Sequence, residues 1–286
     1  MMKKLIAVLL ASVMVLSLVA CGGGSSSSSS SSAPASSQTP ASSEISDSGI
    51  KTVEPGKLIV GTSADFAPYE FHMLKDGKDI ITGFDMDLAQ AIADDLGLEL
   101  VIKDMNFDSI LIELNSGTID LAIAGLSPDP ERAKAVDFSD AYYTGTQCVM
   151  VRKADADKYK DTAALKGLPV GAQTGSIQEG LCKELAPDAS LVSLTTIPNI
   201  IMELKSSKIE AAFMETAVAD GYVAAHDDLM IAFEVPYEAE GSCAAVKKGN
   251  TALLDAVNAT IKKVVENGDM IKFVQVANEL AVDAIS

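Results

Sequence analysis

The chain is poor in the residues that most catalytic and metal centres are built from. It has two histidines, His72 and His226, far apart in sequence, so a zinc site or a histidine-based triad has little raw material. Its four cysteines, Cys21, Cys148, Cys182 and Cys243, match no metal spacing, and the three beyond residue 21 leave at least one thiol unpaired. Positive charge is scarce too. Twenty-two Lys and Arg face 40 Asp and Glu, a net charge of −18 that makes nucleic acid a poor partner and suits a soluble secreted surface. No second long apolar run follows the first 20 residues, so nothing downstream is expected to cross a membrane. Arginine is the scarcest cation: Arg132 and Arg152 are the only two.

What is present starts with an export pattern. Lys3 and Lys4 precede an apolar stretch from Leu5 to Ala20, too short for a comfortable membrane span and closed by small residues. The following Cys21 resembles the lipobox cysteine of bacterial lipoproteins. That resemblance makes residues 1–21 a signal peptide and Cys21 the lipidated (palmitate-bearing) first residue of a mature lipoprotein; several acyl chains on one residue hold firmly to a membrane. Residues 22–55, rich in serine, cannot bury enough apolar surface to fold and read as a disordered tether.

From Lys57 onward strands and helices alternate. KLIVGTS, LELVIKDM, IDLAIAGL, CVMVRK, LPVGAQ, SLVSLTT and IEAAFME read as strands. GFDMDLAQAIADDLG reads as a helix, with Phe84, Leu88, Ala91 and Ile92 at helical spacing and Gly97 as its stop. The alternation implies an α/β protein with mainly parallel mixed sheets flanked by helices. ILIELNSGTIDLAIAG also echoes IIMELKSSKIEAAFME, helix, polar turn and apolar strand in each, which points to two lobes of similar construction. In such sheets a ligand crevice lies beyond the carboxyl ends of the strands. The equivalent ends are Gly125-Leu126-Ser127 and Met214-Glu215-Thr216.

Three features are candidates for that crevice, each with a competing use. Arg132, close to Ser127, offers a planar fork that grips a carboxylate with two hydrogen bonds; the alternative is a surface ion pair with Asp137 or Glu131. In GAQTGSIQEG, residues 171–180, Gly175 permits a turn, Ser176 caps a helix, and the N–H groups of Ile177 and Gln178 suit an anion; the alternative is a cap without a ligand. Glu215 at a strand end would neutralise an ammonium; the alternative is a first-turn residue favoured by the helix dipole. Carboxylate and ammonium receptors side by side describe an amino-acid site.

The motifs GTSADFAPYEF (61–71), GFDMDLAQAIADDLG (83–97), FDSILIELNSGTIDLAIAGLSPDPERAKAVDFSDAYY (107–143) and GAQTGSIQEG resemble the polar-amino-acid substrate-binding proteins of ABC importers, bacterial solute-binding protein family 3. The resemblance covers nearly all of the chain from Lys57. It implies the type II periplasmic-binding-protein fold, with lobe 1 at 56–144 and 240–286, lobe 2 at 145–239, and two hinge strands near Thr144-Gly145 and Glu238-Ala239. It also implies roles. Arg132 clamps the ligand α-carboxylate with Ser127 and the N–H near Ile177. Phe66 and Phe107 sandwich the side chain. The Gly125 carbonyl and Glu215 take the α-ammonium, where the family more often has aspartate at Glu215. Ser63, where the family often has Asp or Asn, bears on specificity; Asp129 caps the helix that follows. Aromatic faces attract cations. With Asp65, Glu70 and Gln173 nearby, they favour arginine, lysine or ornithine, with glutamine next. Phe66 as a core residue and Glu70 as a solvated charge are the competing uses. The implied partner is a membrane permease, and the implied protein a monomer without cofactor or metal. A dehydratase on the same fold, with Glu215 as general acid, and a sensor that presents its ligand to a membrane kinase are the alternatives.

Overall fold

The computed structural model describes residues 49–238 and 241–284; Cys21 and Ala239 lie outside the described residues. The elements run β1 (Lys57–Thr62), β2 (Asp65–Phe66), β3 (Glu70–Lys75), β4 (Lys78–Thr82), α1 (Phe84–Leu96), β5 (Glu99–Asp104), α2 (Phe107–Ser116), β6 (Leu121–Ala122), α3 (Arg132–Ala135) and β7 (Val136–Tyr143). They continue with β8 (Gln147–Arg152), β9 (Pro169–Gln173), α4 (Ile177–Leu185), β10 (Ser190–Leu194), α5 (Ile197–Lys205), β11 (Ala211–Glu215), α6 (Thr216–Ala225), β12 (Leu229–Val235), β13 (Ser242–Lys247), α7 (Thr251–Glu266) and α8 (Asp269–Ala284).

Local chemistry accounts for the helices. In α1, Phe84, Leu88 and Ile92 recur four apart and are completely buried. Gly97 then adopts a left-handed conformation and closes the helix on the Ala93 and Asp94 carbonyls. In α5, Ile197, Ile200, Ile201 and Leu204 form the buried stripe, and Pro198 occupies the first turn, where its missing N–H costs nothing.

Two five-stranded sheets carry the fold, ordered β5-β1-β6-β13-β7 and β10-β9-β11-β8-β12. The echo read from sequence is real at this level. Helix α2 links β5 to β6, and α5 links β10 to β11, so each joins the edge strand to the third strand of its sheet. In each sheet the fourth strand in that order, β13 or β8, is antiparallel to both neighbours, while the others share one direction. Two lobes result. The chain passes between them after β7, which ends at Tyr143, to β8, which starts at Gln147, and again between the end of β12 at Val235 and the start of β13 at Ser242.

Three details differ from the sequence reading. The strand expected over IDLAIAGL pairs regularly only at Leu121–Ala122. Beyond it the Ile123 N–H still reaches the Gly61 carbonyl, and then the backbone turns left-handed at Gly125. A side chain at Gly125 would come within 3.0 Å of the Phe66 ring, which is why a glycine ends this run. The segment before residue 56 is not all tether: the Val53 N–H donates to Asp120, and Ile50 packs against the core. Helix α8, from the C-terminal stretch grouped with lobe 1, packs on α1 and α7 but also on α6 of the other lobe.

Arg152 belongs to this frame. Its guanidinium pairs with Asp155 and Glu210 and donates to the Leu204 and Ile209 carbonyls, tying β8 to the turn between α5 and β11. Among the described cysteines, Cys148, Cys182 and Cys243 are buried thiols and form no disulfide.

Candidate functional site

The strand ends converge as the topology requires. The loop after β1 brings Phe66 and Tyr69, and the loop after β6 brings Gly125 and Ser127. Helix α4 supplies Ile177 and Gln178 from its first turn, and β11 ends at Glu215. The two crossovers add Gln147, Tyr237 and Ser242. Together they line one small cavity, of about 20 Å³.

Glu215 is the charged group of the lobe-2 wall. It is 4% exposed and serves two uses at once. Its Oε2 caps α6, accepting the Val218 N–H at 3.1 Å, while Oε1, near the Tyr69 hydroxyl, makes no hydrogen bond within 3.5 Å among the described residues. Burial pushes its carboxyl up to about 7, against the opposing pull of the Val218 and Ala217 N–H groups and the Tyr69 hydroxyl. Gly145 is glycine because a β-carbon there would lie 2.1 Å from Oε1.

Arg132 is not itself among the residues that line the cavity; it reaches that wall through the carbonyl of Ser127, which is. Its side chain is 11% exposed and ion-pairs through Nε with Asp129 at 3.1 Å. Nη1 donates to the Ser127 carbonyl at 2.8 Å, and Nη2 crosses to the other lobe to reach the Gly175 carbonyl at 2.9 Å. Its Cζ stacks 5.5 Å from the centre of the Phe107 ring. Desolvation lowers its pKa, and Asp129 opposes the shift. The surface pairings with Asp137 and Glu131 do not form: Lys248 holds Asp137 and Lys134 holds Glu131. Asp129 also caps the short α3, accepting the Arg132 N–H.

The remaining candidates sort by where their polar atoms go. Phe66 and Ile177 line the cavity, whereas Phe107 lies beneath Arg132. Ser176 caps α4, accepting the Glu179 N–H and donating to the Gln173 carbonyl. Leu126 is buried in the lobe-1 core, and its carbonyl accepts the Cys243 N–H, so it adds no polar contact to the cavity. Ser63 donates to Asp65 at 3.0 Å. The other Asp65 oxygen accepts the Ile197 N–H at 2.9 Å, with Gln173 Nε2 at 3.5 Å, so Asp65 is spent on the protein itself. Glu70 is neither solvated nor in the cavity. It is completely buried beside Asp85, and burial with that carboxylate raises its carboxyl well above the usual range. Asp85, pushed up to about 6 by burial, accepts the Gly125 N–H and the Tyr142 hydroxyl and so braces the Gly125 turn.

Sequence reasoning missed Tyr69, Gly145, Gln147, Tyr237, Gly241 and Ser242 as cavity walls, while Gln178, named there for its N–H, does line the cavity. Tyr69 belongs to the motif GTSADFAPYEF, four residues past Asp65. Gln147, Tyr237 and Ser242 sit on or next to the crossovers, where no periodicity marks a residue as wall-forming.

The bacterial extracellular solute-binding proteins, family 3, match residues 58–275. The chain belongs to this family. The arginine-binding extracellular protein ArtP of Bacillus subtilis (strain 168) is 38% identical over 277 residues, 95% of this chain and 96% of that protein. The ABC transporter arginine-binding protein 1 of Escherichia coli (strain K12) is 30% identical over 216 residues, 74% of this chain and 86% of that protein. The structure of the amino acid ABC transporter substrate-binding protein AbpA from Streptococcus pneumoniae bound to L-arginine superposes with a TM-score of 0.77 at 41% identity, covering 79% of this chain and 96% of that one. The two-lobe fold is therefore the type II periplasmic-binding fold.

The carboxyl of Glu215 sets a pH dependence. With a folded pKa near 7 and an unfolded value near 4.5, the native ligand-free chain holds more protons than the unfolded one in that interval. Its contribution to stability is thus lost as pH rises from about 4.5 to 7. Glu215→Gln in the ligand-free protein is expected to gain about 1–3 kcal/mol at pH 8 and little at pH 4.5, read by urea unfolding. An equal effect at both pH values contradicts the burial argument.

Proposed function

We propose that this chain is the substrate-binding component of an ABC importer, capturing a free basic L-amino acid, L-arginine foremost, between its lobes for a membrane permease. One arrangement carries the reading: a largely buried arginine held by the carbonyl of cavity-lining Ser127 and, in the wall of the same cavity, a buried Glu215 oxygen with no hydrogen-bond partner among the described residues. A guanidinium has five N–H groups. In Arg132, Nε–H faces Asp129, and one N–H on each terminal nitrogen serves a carbonyl. One N–H on each terminal nitrogen is left, the pair that a carboxylate takes end-on. Ser127 and the Ile177 N–H would complete that anchor. Glu215 and the Gly125 carbonyl would take the α-ammonium, with Glu215 losing its proton as the cation arrives. The Phe66 ring would lie along the side chain, favouring a cationic one. The arginine-binding relatives and the arginine-bound neighbour support the choice of ligand.

In the same reading residues 56–144 and 240–286 form one lobe and 145–239 the other. They close on the ligand about the two crossovers, and binding shifts the population to the closed form. The chain binds rather than transforms its ligand, works as a monomer, and is held at the outer face of the cell membrane through a lipid on Cys21. Release of the Cys21→Ser chain into the medium would be expected; full retention in the membrane would contradict the anchor.

A thermal-shift screen of the twenty amino acids plus ornithine and cystine tests the central reading. At a hundredfold excess over its dissociation constant a ligand stabilises by about 2.7 kcal/mol. The largest shift is expected from L-arginine, lysine or ornithine, and Arg132→Ala is expected to abolish the response to all of them. A full shift in that variant would remove the carboxylate role. Consumption of prephenate or arogenate by the wild-type chain would favour the dehydratase instead.

A further inference from the structure

We infer that Asp65 is an interlobe latch, a positioning residue that caps helix α5 from the opposite lobe when the cleft closes, and not a contact for the ligand side chain. The inference rests on the closure proposed above. Asp65 stands on β2, next to Phe66, in the lobe formed around β1. Its Oδ2 accepts the N–H of Ile197, 132 residues further along the chain, at 2.9 Å. Ile197 is the first residue of α5, in the other lobe.

That helix end is built to need a partner. The first turn of any helix has N–H groups with no acceptor inside the helix. Thr196 holds the N-cap position of α5 yet makes no side-chain capping bond, and Pro198 has no N–H to offer. The exposed dipole end favours a carboxylate, and Asp65 supplies one. Its Oδ1 is occupied by the Ser63 hydroxyl at 3.0 Å, and Gln173, at the end of β9, donates at 3.5 Å to the same Oδ2 as Ile197. These bonds turn the carboxylate to the protein, and Asp65 does not line the cavity. With the lobes apart, Asp65 and the α5 terminus would both be hydrated. With the lobes together, each satisfies the other in a space with little water. Because Phe66 follows Asp65 directly, the latch also fixes the strand that carries one cavity wall.

The test compares wild type, Asp65→Ala and Asp65→Asn, with L-arginine as the probe. Three quantities are read: the dissociation constant and its rate constants, the radius of gyration with and without ligand, and hydrogen exchange of the Ile197 amide in the ligand-saturated chain. Losing a hydrogen bond to a charged group should weaken binding by about tenfold in Asp65→Ala. The loss is expected in faster dissociation at an unchanged association rate, with protection of the Ile197 amide lost. Asp65→Asn keeps a carbonyl acceptor and is expected to restore the protection and most of the affinity. An Asp65→Ala chain that binds like wild type overturns the latch. So does one that binds more weakly while the Ile197 amide stays protected, since the lost contact would then be to the ligand. A wild-type chain whose radius of gyration is unchanged by L-arginine overturns the closure reading and the latch with it.

Discussion

The guanidinium of Arg132 cannot be buried alone. Removing a cation from water costs several kcal/mol unless neighbouring groups replace the lost hydration. Asp129, two backbone carbonyls and the Phe107 ring do part of this, and together they fix the plane and direction of the fork. The carbonyl of Gly175 belongs to the second lobe, so the environment of Arg132 is complete only when the lobes meet. A lysine has one compact charge and no plane, and could not hold two carbonyls and an aspartate while presenting two further parallel N–H groups. The Ser127 whose carbonyl holds this fork lines the same cavity as Glu215.

The fold uses one construction twice. An edge strand, a helix and a third strand recur in both sheets, and the strand ends they generate face each other across the cavity. The second copy contributes an acid, Glu215, where the first copy contributes the glycine turn leading to Arg132. Burial leaves that acid close to half-protonated near neutral pH. One oxygen of that acid has no hydrogen-bond partner among the described residues.

Much of this could be read from the chain. Helices α1, α2 and α5 follow from apolar spacing and, in the first two, a terminal glycine, because those signals are local. Arg132 and Glu215 stood out for being charged at the ends of apolar runs. What escaped depends on partners remote in sequence. Asp65 looks like a loop carboxylate until α5 arrives 132 residues later. Glu70 looks solvated until Asp85 and Tyr142 bury it. Gln147, Tyr237 and Ser242 become walls only because two crossovers pass the mouth of the cleft. Pairwise position, not residue type, decided each of these.

The central claim is that a guanidinium holds the ligand by its carboxylate. Calorimetric titration of the wild-type chain with L-arginine and with agmatine, which lacks only that carboxylate, tests it most directly. A charge-assisted bidentate pair is lost with agmatine, so the account predicts binding at least about a hundredfold weaker than that of L-arginine. Equal affinity for the two compounds would contradict it.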